Sequence, residues 1–217
     1  MEEVNMERIK KATITQRMYD ICAFAVVRAN VERTLEIAEG LVNGGLPCME
    51  ISFTNNDAGE CIKAVKEKYG DRMIVGAGTV LDPETARIAI MNGADFIISC
   101  TADEDVAKMC NRYQIPYGPG CTTITEAING LTWGAAFIKA FPISNFYGPK
   151  LAKIFKTPTP FMPLMASGGI DLNNINEWLE NGIDFMGMGS LLTNGSSEEI
   201  AANAQKVKQA IDTFRNK

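Results

Sequence analysis

The stretch MPLMASGGIDLNNINEWLENGIDFMGMGS, residues 162–190, carries the pattern that decides the fold. An apolar run, Met162–Ala166, ends in the turn Ser167-Gly168-Gly169-Ile170. A segment of helical character, Asn174–Glu180, follows and stops at Gly182. A second apolar run, Ile183–Met186, ends in a second turn, Gly187-Met188-Gly189-Ser190. Strand, helix, strand is the unit of a parallel sheet, because parallel neighbours need a crossover that a helix supplies.

The same alternation extends upstream. Strands are expected at Ile21–Val27, Cys48–Phe53, Met73–Ala77, Asp95–Ser99, Ile115–Gly118 and Ala136–Phe141, with Met162–Ala166 and Ile183–Met186 as the seventh and eighth. Helices are expected at Val31–Val42, Ala58–Tyr69, Pro83–Met91, Glu104–Arg112, Thr123–Asn129, Pro149–Phe155, Asn174–Glu180 and Glu198–Phe214. Eight such units in 217 residues fit a (β/α)8 barrel of minimum length, one domain over residues 1–217. Residues 2–18 are expected to form an extra N-terminal helix closing the barrel bottom. Asp82-Pro83 reads as an N-cap followed by a first-turn proline, and Ser197 before Glu198 and Glu199 as another helix start. Gly44-Gly45, Gly70, Gly93, Gly130 and Gly182 read as left-handed helix stops. A doubly wound open sheet is the rival architecture. Against it, Val-Val-Arg-Ala-Asn stands after the first strand where a dinucleotide-binding turn would carry glycines.

Composition narrows the chemistry. Hydrophobic residues at 46% and charged residues at 22% describe an ordinary globular chain and exclude a disordered or fibrous one. There is no histidine, which excludes an imidazole general base, a histidine-held zinc and a hydrolase triad. The net charge of −5 gives no reason to expect nucleic acid or an anionic membrane as partner, so a small molecule is expected. Cys22, Cys48, Cys61, Cys100, Cys110 and Cys121 contain no CxxC pair and read as free thiols of a cytoplasmic protein. The N-terminus lacks an apolar leader, and no run approaches the roughly 18 apolar residues of a membrane span.

In a barrel the site lies at the C-terminal ends of the strands. In Ala136–Pro142, alternation puts Phe137, Lys139 and Phe141 on one face, an amine among aromatic rings. Such a lysine either packs its stem and sends its head to water or a carboxylate, or is a desolvated nucleophile that condenses with carbonyls. Glu50 shares a strand face with Cys48 and Ser52. It is either half of a buried ion pair, Lys139 being one candidate partner, or a general acid/base. The glycine turns after strands seven and eight stand where barrels bind phosphate through backbone N–H groups. Gly76-Ala77-Gly78-Thr79-Val80 lets a ligand approach the backbone and adds a hydroxyl, and Arg28 is either a bidentate carboxylate ligand or a solvated rim residue. Asp103, Glu104 and Asp105 read as a solvated helix start, and no metal is expected.

Together, MEISFT around Glu50, GAGTV at 76–80, PGCTT at 119–123, IKAFP at 138–142, SGGI at 167–170 and GMGS at 187–190 resemble the class I aldolases of 2-keto-3-deoxy-6-phosphogluconate and 4-hydroxy-2-oxoglutarate. The resemblance runs from about Thr13 to Arg215. It implies that Lys139 is the Schiff-base nucleophile and Glu50 the proton shuttle. It implies a carboxylate held near Thr79 by an arginine, and a phosphate held by Ser167, Gly168, Gly169, Gly189 and Ser190. Pro119 and Phe141 belong to the implied pocket. The chain departs from the commonest pattern at Thr54, where many members have arginine, so that Arg28 is expected to take over. It departs again at Ser99-Cys100, where many have Ser-Pro, and at Ala166-Ser167, where many have Pro-Thr.

The expected activity is therefore a metal-independent lyase that releases pyruvate and an aldehyde, such as glyceraldehyde 3-phosphate, from a 2-keto-4-hydroxy acid. The resemblance also implies a homotrimer. Two alternatives accompany it: a phosphosugar epimerase or isomerase barrel using Lys139 only as cation or acid, and a non-catalytic sugar-phosphate binder. Within the aldolase reading, gluconate and galactonate epimers are not distinguished.

Overall fold

The computed structural model describes residues 9–216. Its strands are β1 (Ala23–Val27), β2 (Cys48–Ser52), β3 (Ile74–Gly78), β4 (Phe96–Ile98), β5 (Tyr117–Gly118), β6 (Gly120–Cys121), β7 (Ile138–Ala140), β8 (Leu164–Ser167) and β9 (Phe185–Met188). All pairings are parallel, in the order β5-β4-β3-β2-β1-β9-β8-β7-β6. The two ends of that order, β5 and β6, are separated only by Pro119, so the ring closes through one residue. Proline has no N–H to give a ladder, yet its carbonyl still accepts from Lys139 N at 2.9 Å. These nine strands are thus the eight expected, with the fifth extended past Gly118 and divided at Pro119.

The helices are α1 (Lys10–Ile21), α2 (Val31–Asn43), α3 (Ala58–Tyr69), α4 (Pro83–Met91), α5 (Glu104–Arg112), α6 (Ile124–Thr132), α7 (Ser144–Tyr147), α8 (Lys150–Lys156), α9 (Ile175–Glu180), α10 (Ser190–Thr193) and α11 (Ser197–Arg215). Among the described residues, no helix is long and apolar enough to cross a membrane. Side-chain caps fix several starts: Asn30 accepts from Arg33 N, Asp82 from Thr85 N and Asp103 from Val106 N. Each is worth about 1 kcal/mol. Several expected helix ends move by one to three residues, and two of the expected cap and stop residues change. Ser196, not Ser197, is the α11 cap, in a capping box with Glu199. Gly130 lies inside α6, because its bare Cα packs against the Pro119 ring; the left-handed turn falls at Gly134 (φ +90°).

Alternation sorts the strand residues into two cores. Outward side chains such as Ile51, Val75, Ile97 and Ile138 meet the helices. Inward ones, Phe24, Phe96, Phe137 and Phe185, fill the lower barrel, with ring centroids 5.8 Å apart for Phe24–Phe96 and 4.7 Å for Phe137–Phe185. Helix α1 plugs that end with Ile14 and Met18. It is the expected extra helix, shifted toward the C-terminus; residues 2–8 of that expectation lie outside the described ones. Asp95, just before β4, accepts from Val75 N at 3.0 Å and Lys66 Nζ at 2.9 Å. Asp184 repeats the device before β9, with Leu164 N at 2.7 Å and Lys156 Nζ at 2.6 Å. Both pin a neighbouring strand to a helix. With the bottom sealed by apolar packing, the polar inward positions among the described residues, Glu50 and Lys139 with them, lie above it.

Candidate active site

Lys139 sits mid-strand in β7, above Phe137 and below Phe141 on the inner face, and is 5% exposed. Its Nζ lies 4.9 Å from the centroid of the Phe141 ring, a cation–π distance. Among the described residues no carboxylate or carbonyl holds that nitrogen. Glu50 occupies the middle of β2 at 1% exposure, and its Oε2 has no hydrogen-bond partner among the described residues. The buried Lys139–Glu50 ion pair that alternation left open is not formed. The carboxylate lies against Gly78 of β3, where a Cβ would overlap it. A buried carboxylate oxygen without a partner is rare enough to need a reason.

A cavity of about 330 Å³ opens over these strands, lined by Val26, Arg28, Thr54, Thr79, Cys100, Lys139, Phe141, Asn145, Ser167, Gly168, Gly187 and Gly189. Eight of the expected site residues therefore share one wall: Arg28, Thr54, Thr79, Lys139, Phe141, Ser167, Gly168 and Gly189. Glu50 is outside it, buried beside Gly78. Pro119 is outside too, since it joins β5 to β6 and faces Gly130. Ser190 lines an adjoining cavity of about 340 Å³ with Arg33, Thr193 and Asn194, and the two cavities share Val26, Arg28 and Gly189. Arg33 is committed to Glu36 and to the carbonyls of Thr193 and Gly195. Arg28 is exposed and unpaired among the described residues, so its guanidinium is available to a ligand.

Gly168 (φ +91°) and Gly169 (φ +71°) are consecutive left-handed residues, a backbone that only glycine adopts cheaply. The Asn145 carboxamide lies over both, close enough that a Cβ on Gly168 would come within 2.5 Å of its Oδ1. Gly169 is exposed and sits beside the cavity wall. Asn145 was missed from sequence because it belongs to α7, one helical turn without periodicity; the polar pair Ser144-Asn145 just after a strand end was the available signal. Ser144 Oγ donates to Ser167 O at 2.8 Å and ties α7 to that turn.

The buried thiols are quiet. Burial pushes Cys22 up to about 11 and Cys110 and Cys121 up to about 12, so all three stay protonated at neutral pH. All six cysteines are free. Among the described residues, no three His, Cys, Asp or Glu side chains are grouped to hold a metal ion.

A family model described as "Aldolase: KDPG and KHG aldolase" matches residues 14–210. Over 176 residues the chain is 30% identical to the 2-dehydro-3-deoxy-6-phosphogalactonate aldolase of Escherichia coli (strain K12), covering 81% of this chain and 85% of that one. Over 192 residues it is 29% identical to the 2-dehydro-3-deoxy-phosphogluconate aldolase of Treponema pallidum (strain Nichols), covering 86% and 91%. Among solved structures, "Native KDPGal structure" superposes with a TM-score of 0.83 at 29% identity, covering 90% of this chain and 96% of the other.

Proposed function

The chain belongs to the KDPG and KHG aldolase family, so it is a carbon–carbon lyase, and we propose that it cleaves 2-keto-4-hydroxy acids by class I chemistry, with Lys139 as nucleophile and Glu50 as proton shuttle. The observation that carries this reading is the position of Lys139: buried, at the cavity wall, its Nζ held by no carboxylate or carbonyl among the described residues. Attack on a ketone needs a free lone pair.

In the reaction, neutral Lys139 adds to C2, and the carbinolamine loses water to give an iminium. The C4 hydroxyl loses its proton, the C3–C4 bond breaks, and its electrons flow into the iminium to leave a pyruvate enamine. The aldehyde departs. Protonation at C3 and hydrolysis then release pyruvate and the free lysine. Glu50, outside the cavity wall, serves these transfers through bound water. Phe141 walls the imine. Thr79 and Arg28 hold the carboxylate end, and Thr54 lines it. The N–H groups of the Ser167-Gly168-Gly169 and Gly189-Ser190 turns hold the distal phosphate. Pro119 acts at one remove, by keeping β7 in register. No metal is required, residues 1–217 are read as one barrel domain, and the free cysteines suit the cytoplasm.

The test is turnover, measured as pyruvate release, on three kinds of substrate, each with and without a chelator: the phosphorylated gluconate and galactonate acids, the same acids without phosphate, and 4-hydroxy-2-oxoglutarate. A phosphate held by charge-assisted hydrogen bonds should raise kcat/KM by about 10- to 100-fold over the unphosphorylated acid. Equal values would remove the phosphate assignment, chelator-sensitive turnover would remove metal independence, and release from none of the three would remove the substrate class.

We also infer a homotrimer. Two separated sets of exposed apolar side chains support it: Phe146, Tyr147, Ile154 and Phe161 around α7 and α8, and Leu81, Ile88 and Met91 on and beside α4. Two different patches per chain are what a closed head-to-tail ring uses. Light scattering should give three times the 23.7 kDa chain mass, and Phe161→Glu should shift it to one; a wild-type monomer rejects the inference.

A further inference from the structure

Ser52 closes β2 and is fully buried, outside the cavity wall. Its Oγ lies 3.1 Å from Thr54 Oγ1 and 3.1 Å from Thr79 Oγ1, and Thr54 N approaches it at 3.5 Å. Both threonines line the cavity. Thr79 has φ +59°, a left-handed backbone that a β-branched residue adopts only where its surroundings enforce it, as at binding sites. The sheet register, Ser52 opposite Gly78, brings the two hydroxyls together.

We propose that Ser52 is a positioning residue that holds the hydroxyl chain Thr54–Ser52–Thr79 in one direction, so that Thr79 presents its proton to the carboxylate of the keto acid. The inference rests on the aldolase reading above. A hydroxyl has one proton and two lone pairs. Two links among three hydroxyls consume two protons and leave one. If Thr54 donates to Ser52 and Ser52 to Thr79, the remaining proton is Thr79's and faces the cavity. If the chain runs the other way, Thr79 offers only lone pairs, which repel a carboxylate, and the free proton belongs to Thr54. If both threonines donated to Ser52, its own proton would be buried without an acceptor, a costly arrangement. An anion beside Thr79 therefore selects the first direction, and Ser52 enforces it without touching the ligand.

The test is the pyruvate dependence of borohydride inactivation in the wild type and in Ser52→Ala, Ser52→Val and Ser52→Thr. Valine and threonine have nearly the same shape, so their difference isolates the hydroxyl from packing. Ser52→Ala and Ser52→Val should raise the half-saturating pyruvate concentration about 5- to 10-fold, part of the value of one charge-assisted hydrogen bond, because the freed Thr79 hydroxyl can still turn toward the anion. The plateau rate should change far less, and Ser52→Thr should restore wild-type saturation. Wild-type saturation in Ser52→Val, or a plateau that falls with half-saturation unmoved, overturns the inference. A wild type that pyruvate and borohydride do not inactivate overturns the imine reading, and this inference with it.

Discussion

Replacing Lys139 with alanine should lower kcat/KM for pyruvate release by about 10,000-fold or more, the scale on which losing a nucleophile acts, with little loss of stability. The stability half follows from geometry. Lys139 Nζ makes no hydrogen bond or ion pair among the described residues, and truncation enlarges a cavity that is already open, so no buried partner is orphaned. The activity half follows from the iminium, which accepts the C3–C4 electrons and cannot form without the amine. Lys139→Arg separates this from electrostatic roles: a guanidinium keeps the positive charge but has no lone pair free to form an imine. Arginine should be as inactive as alanine. In the wild type, borohydride with pyruvate should inactivate irreversibly and add mass to the peptide containing Lys139. An active Lys139→Arg variant, or mass on another peptide, would mean that the lysine serves as a cation, as in an isomerase barrel.

That lysine was legible because it lies in a strand, where period two decides which side chains share a face, and Phe137, Lys139 and Phe141 do share one. Helices α3, α4 and α5 begin and end where the pattern put them; in α4 and α5 the signal is an aspartate whose side chain accepts from the third helical residue. Strand ends were less legible. Ile21 and Ile183 look like strand residues, but Ile21 ends α1 and Ile183 lies in the loop before β9, because an apolar side chain can reach the core from a helix or a loop. Gly120-Cys121 has poor strand propensity, and only its pairing with β7 makes it a strand. In the site, local pattern ranked Glu50 and Lys139 highly yet left open whether they pair, since separation across a barrel depends on strand tilt. Asn145 and the hydroxyl chain through Ser52 arise from contacts between different βα units, which no local period encodes.

Glu50→Gln should lower kcat by about 100- to 10,000-fold, the usual worth of a positioned acid/base, while leaving the protein at least as stable. In most buried positions, loss of a carboxylate breaks bonds. Here Oε2 has no partner to lose among the described residues, and burying a carboxyl group in that state costs more than burying a neutral amide. A stability gain coupled to an activity loss is the pattern of a group retained for function. The variant should still be trapped by pyruvate and borohydride, though slowly, because Lys139 is intact and only the proton transfers that form and dehydrate the carbinolamine are impaired. Glu50→Asp tests reach: the carboxylate is kept but withdrawn by one methylene, and if its task is to order a water between itself and two oxygens, on C2 and on C4, even that step should cost most of the activity. Calorimetry beside the rate measurements decides between roles. A Glu50→Gln protein that turns over normally removes the shuttle assignment. One that unfolds several degrees earlier marks Glu50 as a structural partner instead.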